Sequence, residues 1–380
     1  MPRQTRRITL PSSSPAASRH VTFHDYGAPD ARPKAYLQAA IHADEIPGLL
    51  VQHHLARRLD DADAAGLIKG RITLAPYANP IGLDQWLNWN HSGRHELASG
   101  DNFNRNWPDL LPHALSRLDG KLGADEAANV VAIREALADA VEQIAVDSEL
   151  DALRQTLARE AVDADIVLDL HCDEDALMHV YLLAVHWPEG EDLTRNLDTR
   201  VVLLSDDSGG GCFDESLSLP WVRLAERFPE APVPPACLGA TIELRGQADV
   251  SDALAEADAE GLFRFLQHRG VIDGDPGPLP AALCEATRLE ACDVVKSPAT
   301  GVLSYRVALG DRVATGQPLA DLIDPAAENP AEGRRTIVSG TDGLVMTRQL
   351  HKYVSAGTDI AKVAGNERLA HRKTGDLMMP

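Results

Sequence analysis

The sequence predicts an α/β domain with helices on both faces of its sheet, followed by a small all-β unit. Three observations carry this. Strand-like apolar runs alternate with helical patterns over roughly the first 270 of the 380 residues, the mark of a sheet covered by helices. Several of those runs end in polar loops, where open α/β sheets bind their ligands. After about Pro276 the helical patterns stop, and short valine-rich strands between Gly-Asp, Gly-Gln and Gly-Thr turns take over.

The first run, "KAYLQAAI" (34–41), leads into His42. Pro47 suits the first position of a helix and disfavours the α region for Ile46. Residues 42–46 are therefore expected to form a strand-to-helix loop. The helix follows in "GLLVQHHLARRL" (48–59), whose apolar residues recur at three- and four-residue spacing. "GRITLAPYANP" (70–80) is a strand running into a turn, and the Ala-rich stretch from about Ala124 to Ala161 is helical. "DADIVLDL" (163–170) is a buried strand delivering His171, and the strand-like "GATIELRG" (239–246) contains Glu243. "DGDPGPLP" (273–280) reads as a linker, which divides the chain into residues 1–285, a β unit at 290–366 and a tail at 367–380.

Within the β unit, "SPATGVLSYRVALGDRVATGQPLADLI" (297–323) and "SGTDGLVMTRQLHKYVSAGTDIAKV" (339–363) rhyme. Each has Ser, a Gly four residues on, an alternating strand, a Gly turn and a closing apolar strand. This quasi-twofold unit resembles the biotinyl/lipoyl-type barrel-sandwich. That resemblance implies a carrier lysine on the hairpin between the halves. Here the connection reads "DPAAENPAEGRR" without lysine, so the unit is expected to be a structural or oligomerising appendage.

The acidic balance, 57 Asp and Glu against 36 Lys and Arg for a formal charge of −21, disfavours nucleic acid or an anionic membrane as partner. The N-terminus is basic and Ser/Pro-rich without an apolar h-region, and no run of 18 apolar residues occurs. A soluble, non-secreted, cytoplasmic protein is expected, with the "RQTRR" arginines in a solvated tail. The cysteines (172, 212, 237, 284, 292) are odd in number and show no C-x-x-C. Neither a disulfide framework nor a cysteine-only metal site is indicated.

His42-x-x-Glu45 alone is ambiguous between half of a metal site and a polar loop before a helix. A hydrolytic zinc takes three protein ligands and leaves a fourth position for water. His171 is the natural third, since it sits where a buried strand emerges, as His42 does. Cys172 should point the opposite way if strand geometry persists. A carboxylate must then accept a proton from the acidified water, and Glu243 is placed for that. In "SGRHELASGDNFNRNWPDL" (92–110), Asn104-Arg105 sets an amide beside a guanidinium fork that binds a carboxylate bidentately. Arg94 could face the scissile carbonyl and stabilise its oxyanion.

In this order His42-x-x-Glu45, Asn104-Arg105-Asn106-Trp107-Pro108, His171 at a strand end and "TIELRG" resemble the zinc carboxypeptidase superfamily. Within it the chain looks most like the succinylglutamate desuccinylase/aspartoacylase branch, over roughly residues 30–270. The resemblance implies a mixed sheet and one zinc held by His42, Glu45 and His171. It also implies a substrate carboxylate on Asn104 and Arg105, a carbonyl polarised by Arg94, and Glu243 as general base and then acid. One departure stands out. The family pattern has Asp two residues before the Asn-Arg pair to orient a zinc-bound histidine; here that position is Asn102, with Asp101 beside it.

Other candidates read as structural. His91-x-x-x-His95 has metal-like spacing, but Gly93 and Gly100 argue for a loop. His53 and His54, adjacent on a helix, face different ways. "DSGGGCFDESLSLP" (207–220) lacks the Gly-Lys-Ser/Thr ending of a phosphate loop and is expected to be a flexible connection or lid; its Asp214 and Glu215 could select a cationic substrate group, but in so acidic a chain they read as ordinary exposed acidic residues. The function expected is hydrolysis, dependent on zinc, of the amide or ester bond of a small N-acyl amino acid. The alternatives are a metallocarboxypeptidase acting on peptide C-termini and a non-catalytic binding protein on the same fold.

Overall fold

The computed structural model describes residues 3–12, 14–373 and 375. Its centre is a nine-stranded mixed sheet. The strands lie in the order Gln4–Thr9, His20–Tyr26, Arg71–Ala75, Lys34–Ala39, Ile166–Asp173, Leu238–Gly246, His179–Leu183, Val201–Ser205 and Ala286–Arg288. The four strands from Arg71–Ala75 to Leu238–Gly246 run parallel. The strand that leads into His42 and the strand that carries His171 near its end therefore finish on the same edge of the sheet.

Strand residues alternate between two apolar layers, as period-2 geometry requires. Leu37, Leu74, Leu168 and Ile242 pack on one face against Val51 and Leu55 of helix Pro47–Ala64 and Leu262 and Phe265 of helix Asp252–His268. Tyr36 and Val167 point to the other face, against helices Leu111–Leu118, Glu126–Glu142, Glu149–Ala161 and Phe213–Arg227. Each buried leucine of these layers contributes about 2 kcal/mol by removal from water, which makes the sheet a rigid platform for the loops at its edge. The Ala-rich stretch is two helices, not one, capped at their starts by Asp125 and Ser148, whose side chains accept from Ala128 N and Asp151 N.

Two expectations need correcting. Arg6 lies in the edge strand Gln4–Thr9, not in a solvated tail, because its guanidinium reaches Asp25 at 2.5 Å and Glu160 at 2.7 Å. The helix does begin at Pro47, yet Ile46 adopts the α region (φ −76°, ψ −31°) that the following proline disfavours; packing of the loop outweighs the local preference.

Beyond the sheet, residues 292–365 form two antiparallel sheets around a core of their own, with Leu319, Val345, Ile360 and Val363 at its centre. Gly301–Tyr305 and Pro318–Ile323 pair with Arg334–Val338 and with Tyr353–Val354. Gly343–Arg348 and Asp359–Gly365 pair with Cys292–Lys296 and with Arg312–Val313. Each sheet thus takes one short strand from the opposite rhyming half. This unit docks on the main domain through an antiparallel pairing of Thr347 and Arg348 with Asp175 and Ala176, just beyond the His171 strand. The connection between the halves, residues 324–333, is a mostly exposed turn. Among the described residues no helix is long and apolar enough to cross a membrane.

Candidate active site

The loop after Lys34–Ala39 turns back at Ala40, which has φ 60°. This sends His42 to the sheet edge beside His171, near the end of the next parallel strand. The loop 92–95 lies directly on it: Ala43 N donates to Gly93 O at 2.9 Å. A Cβ on Gly93 would stand 2.2 Å from Asp44 N, so only glycine permits the contact that carries Arg94 to the site.

His42, Glu45 and His171, each 3% exposed, converge there. One ligand atom from each lies within 4.8 Å of the others. Glu45 Oε1 is 2.8 Å from His42 Nδ1, and Glu45 Oε2 is 2.7 Å from His171 Nδ1. Each imidazole uses its other nitrogen on an oxygen behind it. His42 Nε2 is 2.9 Å from Asn102 Oδ1, and His171 Nε2 is 2.9 Å from Asp169 Oδ2. Such partners fix the orientation of metal-binding histidines. Asn102 therefore occupies the orienting position, while Asp101 is exposed.

Electrostatics follow the geometry. Burial pushes the His42 imidazole down to about 4. Burial alone would raise Glu45, but His42 and His171 outweigh it and hold its carboxyl well below the usual carboxylate range. Burial opposes charge on His171 as well, yet Asp169 and Glu45 raise it well above the ordinary imidazole value. Two imidazoles and a carboxylate, buried and backed by oxygens, suit a zinc ion.

Glu243 stands opposite His171 in the register of the neighbouring strand. Its Oε2 is buried and has no hydrogen-bond partner among the described residues. Burial, then Glu45, pushes its carboxyl up to about 8. Arg94 Nη1 donates to Glu45 Oε1 at 3.1 Å. The Asn104 amide is engaged at both ends: Oδ1 accepts from Trp107 Nε1 (3.1 Å) and Phe213 N (2.9 Å), and Nδ2 donates to Asp169 at 3.4 Å. Arg105 Nη1 donates to Asn104 O at 2.7 Å, and buried Arg154 Nη2 holds the Arg105 carbonyl at 2.9 Å. All seven residues picked from the sequence line one cavity of about 90 Å³. A larger cleft of about 730 Å³ between the two units shares Glu45, Arg94, Cys172 and Lys362 with it.

Several more residues line the cavity, some unnamed in the sequence analysis and some set aside there. Asp169 is two positions before His171, hence on the same strand face, a period-2 signal that was available. Cys172 also lines the cavity, and its N–H donates to Glu45 Oε2 at 3.2 Å. Asp214 and Glu215 are not in a solvated lid: they open helix Phe213–Arg227 and are 7% and 6% exposed on the cavity wall. Lys362 comes from the β unit and pairs with Asp173 at 2.5 Å, both side chains 4% exposed.

Residues 31–269 match the succinylglutamate desuccinylase/aspartoacylase catalytic domain. The chain belongs to this family. Its members are deacylases of N-acyl amino acids. The N-alpha-acetyl-L-2,4-diaminobutyric acid deacetylase of Halomonas elongata is 24% identical over 337 residues, 87% of this chain and 82% of that one. A crystallised protein from Shewanella frigidimarina that carries the same family name superposes with a TM-score of 0.85 at 25% identity, covering 96% of this chain and 97% of that chain. The product-bound ectoine utilization protein EutE (DoeB) of Ruegeria pomeroyi shares the fold, with a TM-score of 0.66 at 19% identity over 96% and 95% of the two chains.

Proposed function

We propose that this family member is a zinc-dependent hydrolase that cleaves the amide bond of a small N-acyl amino acid, one zinc per chain. The observation that carries this reading is the buried convergence of His42, Glu45 and His171 with the uncommitted Glu243 oxygen on the next strand. Bound by those three residues, zinc supplies the Lewis acidity that makes a water deprotonable near neutral pH.

The chain's own groups do the rest. Glu243 takes the proton at its buried carboxylate and returns it to the leaving amine, so it acts first as base and then as acid. Arg94, moved from Glu45 by a substrate, donates to the developing oxyanion. Arg105 receives the substrate carboxylate through its guanidinium, and Asn104 holds the Arg105 loop against Trp107 and the helix at Phe213. The β unit walls one side of the larger cleft through Arg348, Gln349 and Lys362, which favours small substrates over peptides. We take residues 1–285 as the catalytic unit and 290–366 as the appendage; of the tail 367–380, residue 374 and residues 376–380 lie outside the described residues. The five cysteines are unpaired, in keeping with the cytoplasm.

The test is elemental analysis of the purified chain beside His42→Ala. About one zinc per chain, lost in the variant, supports the reading. A wild type that takes up no metal when zinc is supplied would refute it.

A further inference from the structure

Asp214 is a buried carboxyl group for which the proposed deacylation has no use. It sits in the first turn of helix Phe213–Arg227, 7% exposed, and faces the cavity that holds the His42, Glu45 and His171 group. It neighbours Thr241, on the strand that carries Glu243. No lysine or arginine pairs with it among the described residues. The charged groups that face it are Asp169 and His171 on the adjacent strand and Glu215 on its own helix. Glu215 is already engaged, accepting from Ser208 N at 2.7 Å and from the Ser208 hydroxyl. Burial, then Asp169 and Glu215, pushes the Asp214 carboxyl up to about 7.

A carboxylate held in a cavity wall without a counter-charge weakens the fold, and it is stabilised when a ligand brings the cation. The group proposed above for the substrate's carboxylate lies close by. Arg105 Nη1 lies 3.6 Å from Cys212 Sγ, two residues before Asp214. A guanidinium for a carboxylate and a carboxylate for an ammonium thus flank one small space, as the two ends of a diamino acid would require.

We propose that Asp214 determines substrate specificity by receiving a primary ammonium on the side chain of the N-acyl amino acid. The substrates are then acylated diamino acids, in preference to neutral or acidic ones. The inference rests on the deacylase reading above and agrees with the name of the Halomonas relative.

The test uses the zinc-loaded full chain and Asp214→Asn, with Nα-acetyl-L-2,4-diaminobutyrate, its neutral isostere Nα-acetyl-L-norvaline and Nα-acetyl-L-aspartate. The wild type should favour the cationic substrate over the neutral one in kcat/KM by about 30-fold or more, the worth of one buried charged hydrogen bond. Asp214→Asn should collapse that ratio to within about threefold. A wild-type preference for the aspartate compound, or an unchanged ratio in the variant, overturns the proposal. Calorimetric binding of free L-2,4-diaminobutyrate against L-norvaline gives a second readout that needs no turnover. If no acylated amino acid is hydrolysed, the deacylase reading fails. Tighter binding of the diamino acid, lost in Asp214→Asn, would still uphold the ammonium seat, and equal binding would overturn it.

Discussion

Asn102→Asp should tighten zinc binding about fivefold. In the structure the Asn102 amide oxygen accepts from His42 Nε2 at 2.9 Å and from Asn104 N at 2.9 Å. Its amide nitrogen is buried without a partner among the described residues. A carboxylate would keep both bonds and turn them into charge-assisted ones, roughly twice as strong. It would also make Nδ1 of His42 a better donor to the metal. One charge-assisted bond in place of a neutral one gains about 2 kcal/mol at most. Against this stands the cost of burying a second carboxylate oxygen where the amide nitrogen now lies, on the order of 1 kcal/mol after relaxation. The net of about 1 kcal/mol is a factor of about five in the dissociation constant. Competition for zinc against a fluorescent chelator at fixed pH measures it directly. Equal or weaker affinity in the variant would mean that residue 102 does not set the basicity of His42, and that desolvation governs the position.

Other outcomes follow from the same geometry. Glu243→Gln should lower kcat by about 100-fold or more while zinc content stays at one equivalent; loss of the metal would instead make Glu243 a ligand. His171→Ala should strip the zinc, and a full retained equivalent would sink the three-residue site. Lys362→Met should destabilise the chain by about 3 kcal/mol in urea titration, because it leaves Asp173 buried and unpaired. The double variant with Asp173→Asn should recover most of that, and a loss below about 1 kcal/mol in the single variant would show the pair to be dispensable. Burial opposes charge on Asp25, but bonds from Arg6 and Thr73 hold its carboxyl below the usual range. Its contribution is present above about pH 4 and fades as pH falls further. Asp25→Asn should therefore be less stable at pH 7 and converge on the wild type in acid, a trend that thermal melts across pH would detect.

Much of the site was legible because parallel strands deliver residues to one edge. Apolar runs ending at His42 and His171, and Glu243 inside a third, are local patterns, and strand geometry turns them into neighbours. What escaped depends on contacts between distant segments. Arg6 looks solvated until Asp25 and Glu160 come to it from 19 and 154 residues away. Asp214 and Glu215 follow a glycine triplet and so read as a lid; their burial comes from a helix packing against the His171 and Glu243 strands, which no short window of sequence records. Lys362 is one lysine among the alternations of a β unit. Nothing near it in the chain announces Asp173.

The exchange of short strands between the rhyming halves of the β unit has a mechanical consequence. Tyr353–Val354 closes the sheet of the first half, and Arg312–Val313 closes that of the second. Force applied to either half must shear both sheets before that half can come away. The unit should rupture in a single event under tension, and Lys362, on the Asp359–Gly365 strand, is held from both sides by strands from opposite ends of the unit, Cys292–Lys296 and Gly343–Arg348.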